Sequence, residues 1–174
     1  MEIAGVHMMM RSVLLAALVL TGAPACAAGQ SAPPVAAVPS REAANKAVVE
    51  DLYRAFAAND APAIARVLDE NVVWTEAEGG PYADRNPYRG LSAVFDGVFG
   101  RIGVHFRDFR ITPETFLPSG DQVVVLGRYA GTEIVTRERL DAQFAHVFTV
   151  TNGKVTAFQQ YTDTAGWIDA VTPD

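Results

Sequence analysis

The 174-residue chain contains a single cysteine, Cys26, so no intramolecular disulfide can form. Its three histidines, His7, His105 and His146, fall in no grouping with Cys, Asp or Glu that has metal-ligand spacing. The phosphate-cradling pattern G-x-x-x-x-G-K and the nucleophile pattern G-x-S-x-G are both missing. No metal and no cofactor are therefore expected. Basic charge is also scarce. The 14 Lys and Arg stand against 20 Asp and Glu, giving a net charge of −6 with no basic run. That balance argues against nucleic acid and anionic membrane surfaces as partners. The apolar run Ser12 to Leu20 is too short to span a bilayer.

That run instead fits the middle of an export signal. Arg11 precedes it, and Ala25-Cys26-Ala27 forms an A-x-A cleavage pattern after it. Residues 1–27 read as a signal peptide, which predicts an exported protein, periplasmic or secreted. Cys26 offers lipidation as the less favoured alternative, because Ala23-Pro24-Ala25 lacks the Leu usual three residues before a lipidated Cys. Gly29 to Ser40 is rich in Ala, Pro, Ser and Gly, so 28–41 is read as a flexible linker. Residues 42–172 are left as one domain, long enough for a sizeable core and stabilised without disulfides. No membrane span is expected after signal cleavage.

Within that domain the period of the apolar residues changes along the chain. Ala44, Val48, Leu52 and Phe56, with Val49 and Tyr53 beside them, repeat at helical spacing after Ser40 as a plausible N-cap. Asp60, with Pro62 just inside, opens a second short helix ending near Leu68. Val72 to Glu76 alternates as a strand. The Gly- and Pro-containing segment 77–89 is a loop, and Ser92 can cap a third helix through Phe95, Phe99 and Ile102. Four strands follow, near 104–116, 122–132, 140–150 and 154–162. Asn152-Gly153 marks a type I′ hairpin between the last two. Asp163 can cap a final short helix holding Trp167. Helices first and then an antiparallel meander predict an α+β fold, with helices packed on one face of a curved antiparallel sheet.

Residues two apart on a strand share a face. Val72, Trp74 and Glu76 therefore point together, as do His146 and Phe148. The hairpin partner is read as presenting Gln159, Tyr161 and Asp163. A face carrying aromatic and ionisable groups together suits a ligand cavity better than a plain core.

The order and spacing of several stretches resemble the SnoaL-like, ketosteroid-isomerase-like branch of the nuclear transport factor 2 superfamily. These are Val49-Glu50-Asp51-Leu52-Tyr53-Arg54-Ala55-Phe56 through Asp60, Val73-Trp74-Thr75-Glu76-Ala77-Glu78-Gly79, Tyr88-Arg89-Gly90 and Val123 through Tyr129. Phe144-Ala145-His146-Val147-Phe148, Asn152-Gly153-Lys154-Val155 and Gln160-Tyr161-Thr162-Asp163 complete the set. The resemblance covers about residues 42–170. It implies a cone-shaped fold with a pocket at the open end, a small apolar or carbonyl-containing ligand, and homodimers formed through the sheet.

The resemblance also implies residue roles. Glu76 falls on the proton-transferring carboxylate of the isomerase-like relatives, where an apolar cavity makes a carboxylate a better base. His146 sits near the position of their oxyanion-donating acid, and Asp163 near the acid/base Asp of SnoaL-type cyclases. Trp74, Phe95, Phe99, Phe148, Gln159 and Tyr161 are the expected ligand-binding set, with Tyr82 and Tyr88 of the Gly- and Pro-containing loop as a flap over the mouth. Two departures stand out. His146 replaces a carboxylic acid, and the helix-one tyrosine of the isomerases has no aligned match, because Leu52 takes the place beside Tyr53. Two functions stay open: a cofactor-free isomerase, cyclase or hydratase-like enzyme using Glu76, His146 and Asp163, or an exported protein that binds a small molecule in the same cavity without chemistry.

Overall fold

The structure is a computed structural model that describes residues 39–173. The expected signal peptide and most of the expected linker lie outside the described residues.

Helix α1 (Arg41–Ala57) begins where Ser40 accepts a hydrogen bond from the Ala43 amide at 3.2 Å. It buries Val49, Leu52 and Tyr53. Asn45 and Glu42 tie it to the sheet, bonding the Gly120 carbonyl at 3.1 Å and the Gly120 amide at 2.9 Å. Asp60 caps α2 (Ala61–Val67), accepting from the Ala63 amide at 2.9 Å. α2 runs straight into β1 (Leu68–Thr75), which starts earlier than its alternation suggested. β2 (Tyr88–Arg89) pairs with β1 at the sheet edge.

The third helix is not capped by Ser92. Gly90 opens it with φ at +82°, and the Ser92 hydroxyl instead donates to Asp96 at 3.0 Å. It runs as α3 (Leu91–Val94), a π-helical turn (Phe95–Phe99) and α4 (Gly100–His105). Gly97 is required in the π turn, since a Cβ there would collide with the Tyr88 ring. π turns recur at functional sites, and Phe95 and Phe99 lie on this one.

Strands β3 (Phe106–Ser119), β4 (Gln122–Glu133), β5 (Arg139–Thr151) and β6 (Lys154–Thr162) form the meander. The sheet order is β2-β1-β6-β5-β4-β3, curved and open, with the helices packed against it. It is antiparallel except where β1 runs parallel to β6. The α+β expectation holds, with that one parallel pair added. α5 (Thr164–Val171) closes the domain and buries Trp167.

The hairpin between β5 and β6 decides which residues face inward. Asn152 and Gly153 both have positive φ, at 51° and 75°, as a type I′ turn needs. Pairing starts regularly, with Thr151 opposite Lys154 and Val150 opposite Val155. Thr149 then pairs with Ala157, which leaves Thr156 as an extra bulged residue. Beyond it His146 lies opposite Gln160 and Phe148 opposite Phe158.

Candidate functional site

A cavity of about 920 Å³ opens between α1, the π turn and the inner sheet face. Its lining includes Tyr53, Trp74, Glu76, Phe95, Phe99, Tyr129, His146, Phe148, Phe158 and Gln160. Glu76 and His146 therefore share one cavity.

Strand alternation delivers Trp74 and Glu76 to it from β1 and the residue just past its end. Phe158, the cross-strand partner of Trp74, stacks on the indole at 3.7 Å between ring centres. The indole N–H donates to the Glu76 carboxylate at 2.6 Å. Asn86 fixes the Glu76 backbone from the loop side, accepting from its amide at 2.9 Å and donating to its carbonyl at 2.8 Å. Glu76 is 3% exposed, and burial pushes its carboxyl pKa up to about 7, against the opposing pull of hydrogen bonds from Trp74 and Gln160.

A second polar arm occupies the same interior. Gln160 accepts from the Ala77 amide at 3.1 Å through Oε1. A backbone N–H can only donate, so the amide orientation is settled and Nε2 must face Tyr129, to which it donates at 2.8 Å. The Tyr129 hydroxyl meets His146 Nε2 at 2.5 Å, and the Tyr53 hydroxyl meets His146 Nδ1 at 2.7 Å. Phe144 stacks on the imidazole at 3.9 Å. Gly127 makes room for Phe144, whose ring a Cβ at that position would overlap.

Burial drives the His146 pKa down to about 3, so the ring is neutral at neutral pH. Burial also pushes the hydroxyls of Tyr53 and Tyr129 far up, so both keep their protons. A neutral imidazole has one N–H and one lone pair. It accepts from one tyrosine and donates to the other. The tyrosine that accepts keeps its own O–H unused by His146, whichever tautomer forms. The arm thus holds one hydroxyl proton available to a ligand oxygen.

Several expected site residues lie elsewhere. Gln159 and Tyr161 point to the outer sheet face, and Tyr161 is 58% exposed. The bulge at Thr156 is the reason: without it His146 would oppose Gln159, and with it Gln160 and Phe158 take the inner positions. Asp163 caps α5, accepting from the Gly166 amide at 3.2 Å, and is not a lining residue. Tyr82 is no flap. It is 2% exposed, meets His105 Nδ1 at 3.0 Å and packs against Trp167, and Tyr88, the other flap candidate, is 3% exposed and donates to the Tyr82 carbonyl at 2.6 Å. Tyr53, one residue out of register with the helix-one tyrosine of the isomerases, nevertheless supplies a helix-one tyrosine to the cavity. Tyr129, Gln160 and Phe158, which line the cavity, and Asn86, which holds the Glu76 backbone, are not among the expected site residues. For Tyr129 a signal existed: Val123, Val125, Gly127 and Tyr129 alternate and so share one strand face, two of them valine.

A SnoaL-like domain model matches residues 49–158. The chain belongs to the SnoaL-like family. The domain is similar to a crystallised NTF2-like protein of Burkholderia thailandensis at 31% identity, covering 74% of this chain and 98% of that one, with a TM-score of 0.70. An NTF2-like protein of Burkholderia pseudomallei matches at 29% identity with the same coverage and a TM-score of 0.68. The fold is also shared with TerC, co-crystallised with polyporic acid, at 22% identity, 74% and 98% coverage and a TM-score of 0.66. No curated protein matches the chain. Among the described residues no helix of this SnoaL-like domain is long and apolar enough to cross a membrane.

Proposed function

We propose that this SnoaL-like protein is a cofactor-free enzyme that moves a proton on an apolar, ring-containing carbonyl compound. One observation carries the reading: a buried carboxylate and a neutral tyrosine–histidine–tyrosine arm line the same cavity. A carboxyl pKa near 7 suits a base working at neutral pH. Glu76 takes the proton α to the carbonyl. The spare hydroxyl of Tyr53 or Tyr129 donates to the enolate oxygen, the role that a tyrosine and a protonated Asp play in ketosteroid isomerase. Return of the proton to a different carbon completes an isomerisation; attack of the enolate carbon on a second carbonyl, whose oxygen then takes the proton held by Glu76, completes a ring closure. Asp163 takes no part in this scheme.

The test is α-proton exchange into D2O, followed by NMR over a panel of cyclic ketones and enones. Exchange above the buffer rate that disappears in Glu76→Gln while ligand affinity stays supports the enzyme. A second reading, binding without chemistry, draws on the Trp74 N–H already holding the carboxylate at 2.6 Å. It expects Trp74→Ala to weaken binding and Glu76→Gln to change little.

The same proposal includes export, supported by the signal-like N-terminal sequence, and assembly as a homodimer through the outer sheet face. Leu126, Ala145 and Tyr161 form one row across that face, with Leu126 40% and Tyr161 58% exposed. Light scattering on Leu126→Glu reads the assembly, and a monomer is the expected outcome.

A further inference from the structure

The charges lining the cavity do not balance. Glu76, Asp96 and Asp108 contribute three carboxylates, and Arg110 is the one Lys or Arg among the lining residues. Arg110, Asp96 and Asp108 are exposed, so they mark the rim, whereas Glu76 is 3% exposed. None of the salt bridges among the described residues involves Glu76. The remaining wall near it is aromatic: Phe99 and Phe158 both pack against Trp74, and Phe56 and Phe95 against Phe99. Buried charges are normally paired, so a buried carboxyl group that has no cationic side chain beside it suits the cationic group of a ligand. Aromatic faces attract cations as well as apolar groups. An acidic rim raises the local concentration of cations at the entrance.

We propose that the cavity takes an organic ammonium ion carried on an apolar body, with the ammonium group against Glu76 and the body among the aromatic rings. The inference rests on the cavity placement used for the proposed function and not on its proton transfer. An N–H of the ammonium donates to the Glu76 carboxylate, and the Tyr53 or Tyr129 oxygen offers a second acceptor. Bare carboxylate is the form that binds the cation, so occupancy expels the Glu76 proton. The groups around Glu76 are Trp74 and Gln160, the Tyr129–His146–Tyr53 arm, Tyr82 and Tyr88 from the segment after it, and Asp96, Asp108 and Arg110 at the rim. Of the interior set, His146 is already neutral and the tyrosines already protonated, which leaves Glu76 as the proton source.

Benzylammonium and benzyl alcohol test this, being nearly equal in size and differing in charge. Isothermal titration of the full chain with both, in two buffers of different ionisation enthalpy, reads affinity and proton release together. Expected are binding of benzylammonium about tenfold tighter than the alcohol and release of about half a proton at pH 7, shrinking as pH rises. Glu76→Gln removes the preference and the proton release; Glu76→Asp keeps the preference. Equal affinity for the two probes in the wild-type protein overturns the proposal without any variant. So does a preference that survives Glu76→Gln. Ketone α-proton exchange is scored separately: exchange without ammonium preference sinks this inference alone, and ammonium preference without exchange sinks the proton-transfer reading alone.

Discussion

Two glutamates end up almost out of contact with solvent, Glu76 at 3% and Glu133 at 5% exposure, and their carboxyl groups are driven in opposite directions. Glu133 is covered by its own turn. Its Oε2 accepts from the Val135 and Thr136 amides, both at 2.6 Å, and from the Thr136 hydroxyl at 3.1 Å. The Thr136 amide leads the causes that hold its pKa below the usual range. Glu76 is covered by the protein interior; the Trp74 N–H donates to it at 2.6 Å, and the Gln160 side chain adds a smaller pull in the same direction. Its pKa rises because burial outweighs both. Both are satisfied well enough to stay folded, but only one retains spare capacity. A carboxylate saturated by backbone amides is a local staple; one that is buried and under-supplied with donors still has something to do.

The sharpest way to break the contrast is chemical. Glu76→Gln should cut α-proton exchange by about 10²- to 10⁴-fold, the usual worth of a general base, while Glu133→Gln leaves the rate within about twofold. NMR exchange rates at matched protein concentration decide it. Equal losses in the two variants would mean that the first acts through stability.

Stability against pH gives the next largest effect. Glu76 is raised from 4.5 to about 7, so the folded state holds a proton that the unfolded state has lost. Its stabilising contribution is complete below pH 4.5 and is lost as pH rises through about 7. His146 is lowered from 6.5 to about 3, so here the unfolded state binds the extra proton. Its contribution is complete above pH 6.5 and is lost as pH falls toward 3. Between 4.5 and 6.5 the two slopes, each about 1.4 kcal/mol per pH unit, oppose each other. Urea midpoints of the wild-type protein should therefore be nearly flat across that window. Glu76→Gln should unmask a stability that climbs with pH, and His146→Asn one that falls. A wild-type profile as steep as either variant's would contradict the burial of one of the two.

Tyr53→Phe comes next. It leaves the His146 Nδ1 atom buried without its partner, at a cost of about 1–3 kcal/mol. Thermal unfolding measures this, and loss of the helix-one hydroxyl should also slow any exchange that Glu76 supports.

These residues were not equally legible in the sequence. Trp74 and Glu76 were, because both sit on one strand and period-2 alternation needs no partner to be read. His146 and Phe148 were legible for the same reason. Gln160 was not, because its facing depends on Thr156, one bulged residue that shifts the hairpin register. The turn chemistry at Asn152-Gly153 correctly located the hairpin, and counting onward from it aimed Gln159 and Tyr161 inward. Tyr53 depends on how α1 rotates against the sheet, which packing sets and helical spacing does not. Asp163 shows a local rule winning: an N-cap position explained it completely. The helix-then-meander order was readable because it needs only the change of apolar period; the parallel pairing of β1 with β6 is a long-range contact without a local sign.

The smallest expected effect tests the other side of the contrast. Thr136→Ala removes a hydroxyl whose single proton lies between two acceptors, the Ala170 carbonyl at 2.7 Å and the Glu133 carboxylate at 3.1 Å. The two amide donors remain, so Glu133 stays ionised and its turn stays closed. The loss should be about one ordinary hydrogen bond, roughly 0.5–1.5 kcal/mol, visible as a small drop in urea midpoint. Cavity properties should not move: the pH at which Glu76 titrates, read from its side-chain carboxyl NMR shift, should match the wild-type value. If it shifted, the two glutamates would be coupled through α5, whose Ala170 carbonyl takes the Thr136 bond and whose Trp167 ring packs against Tyr129 at 5.1 Å. The staple would then be part of the site that it now only borders.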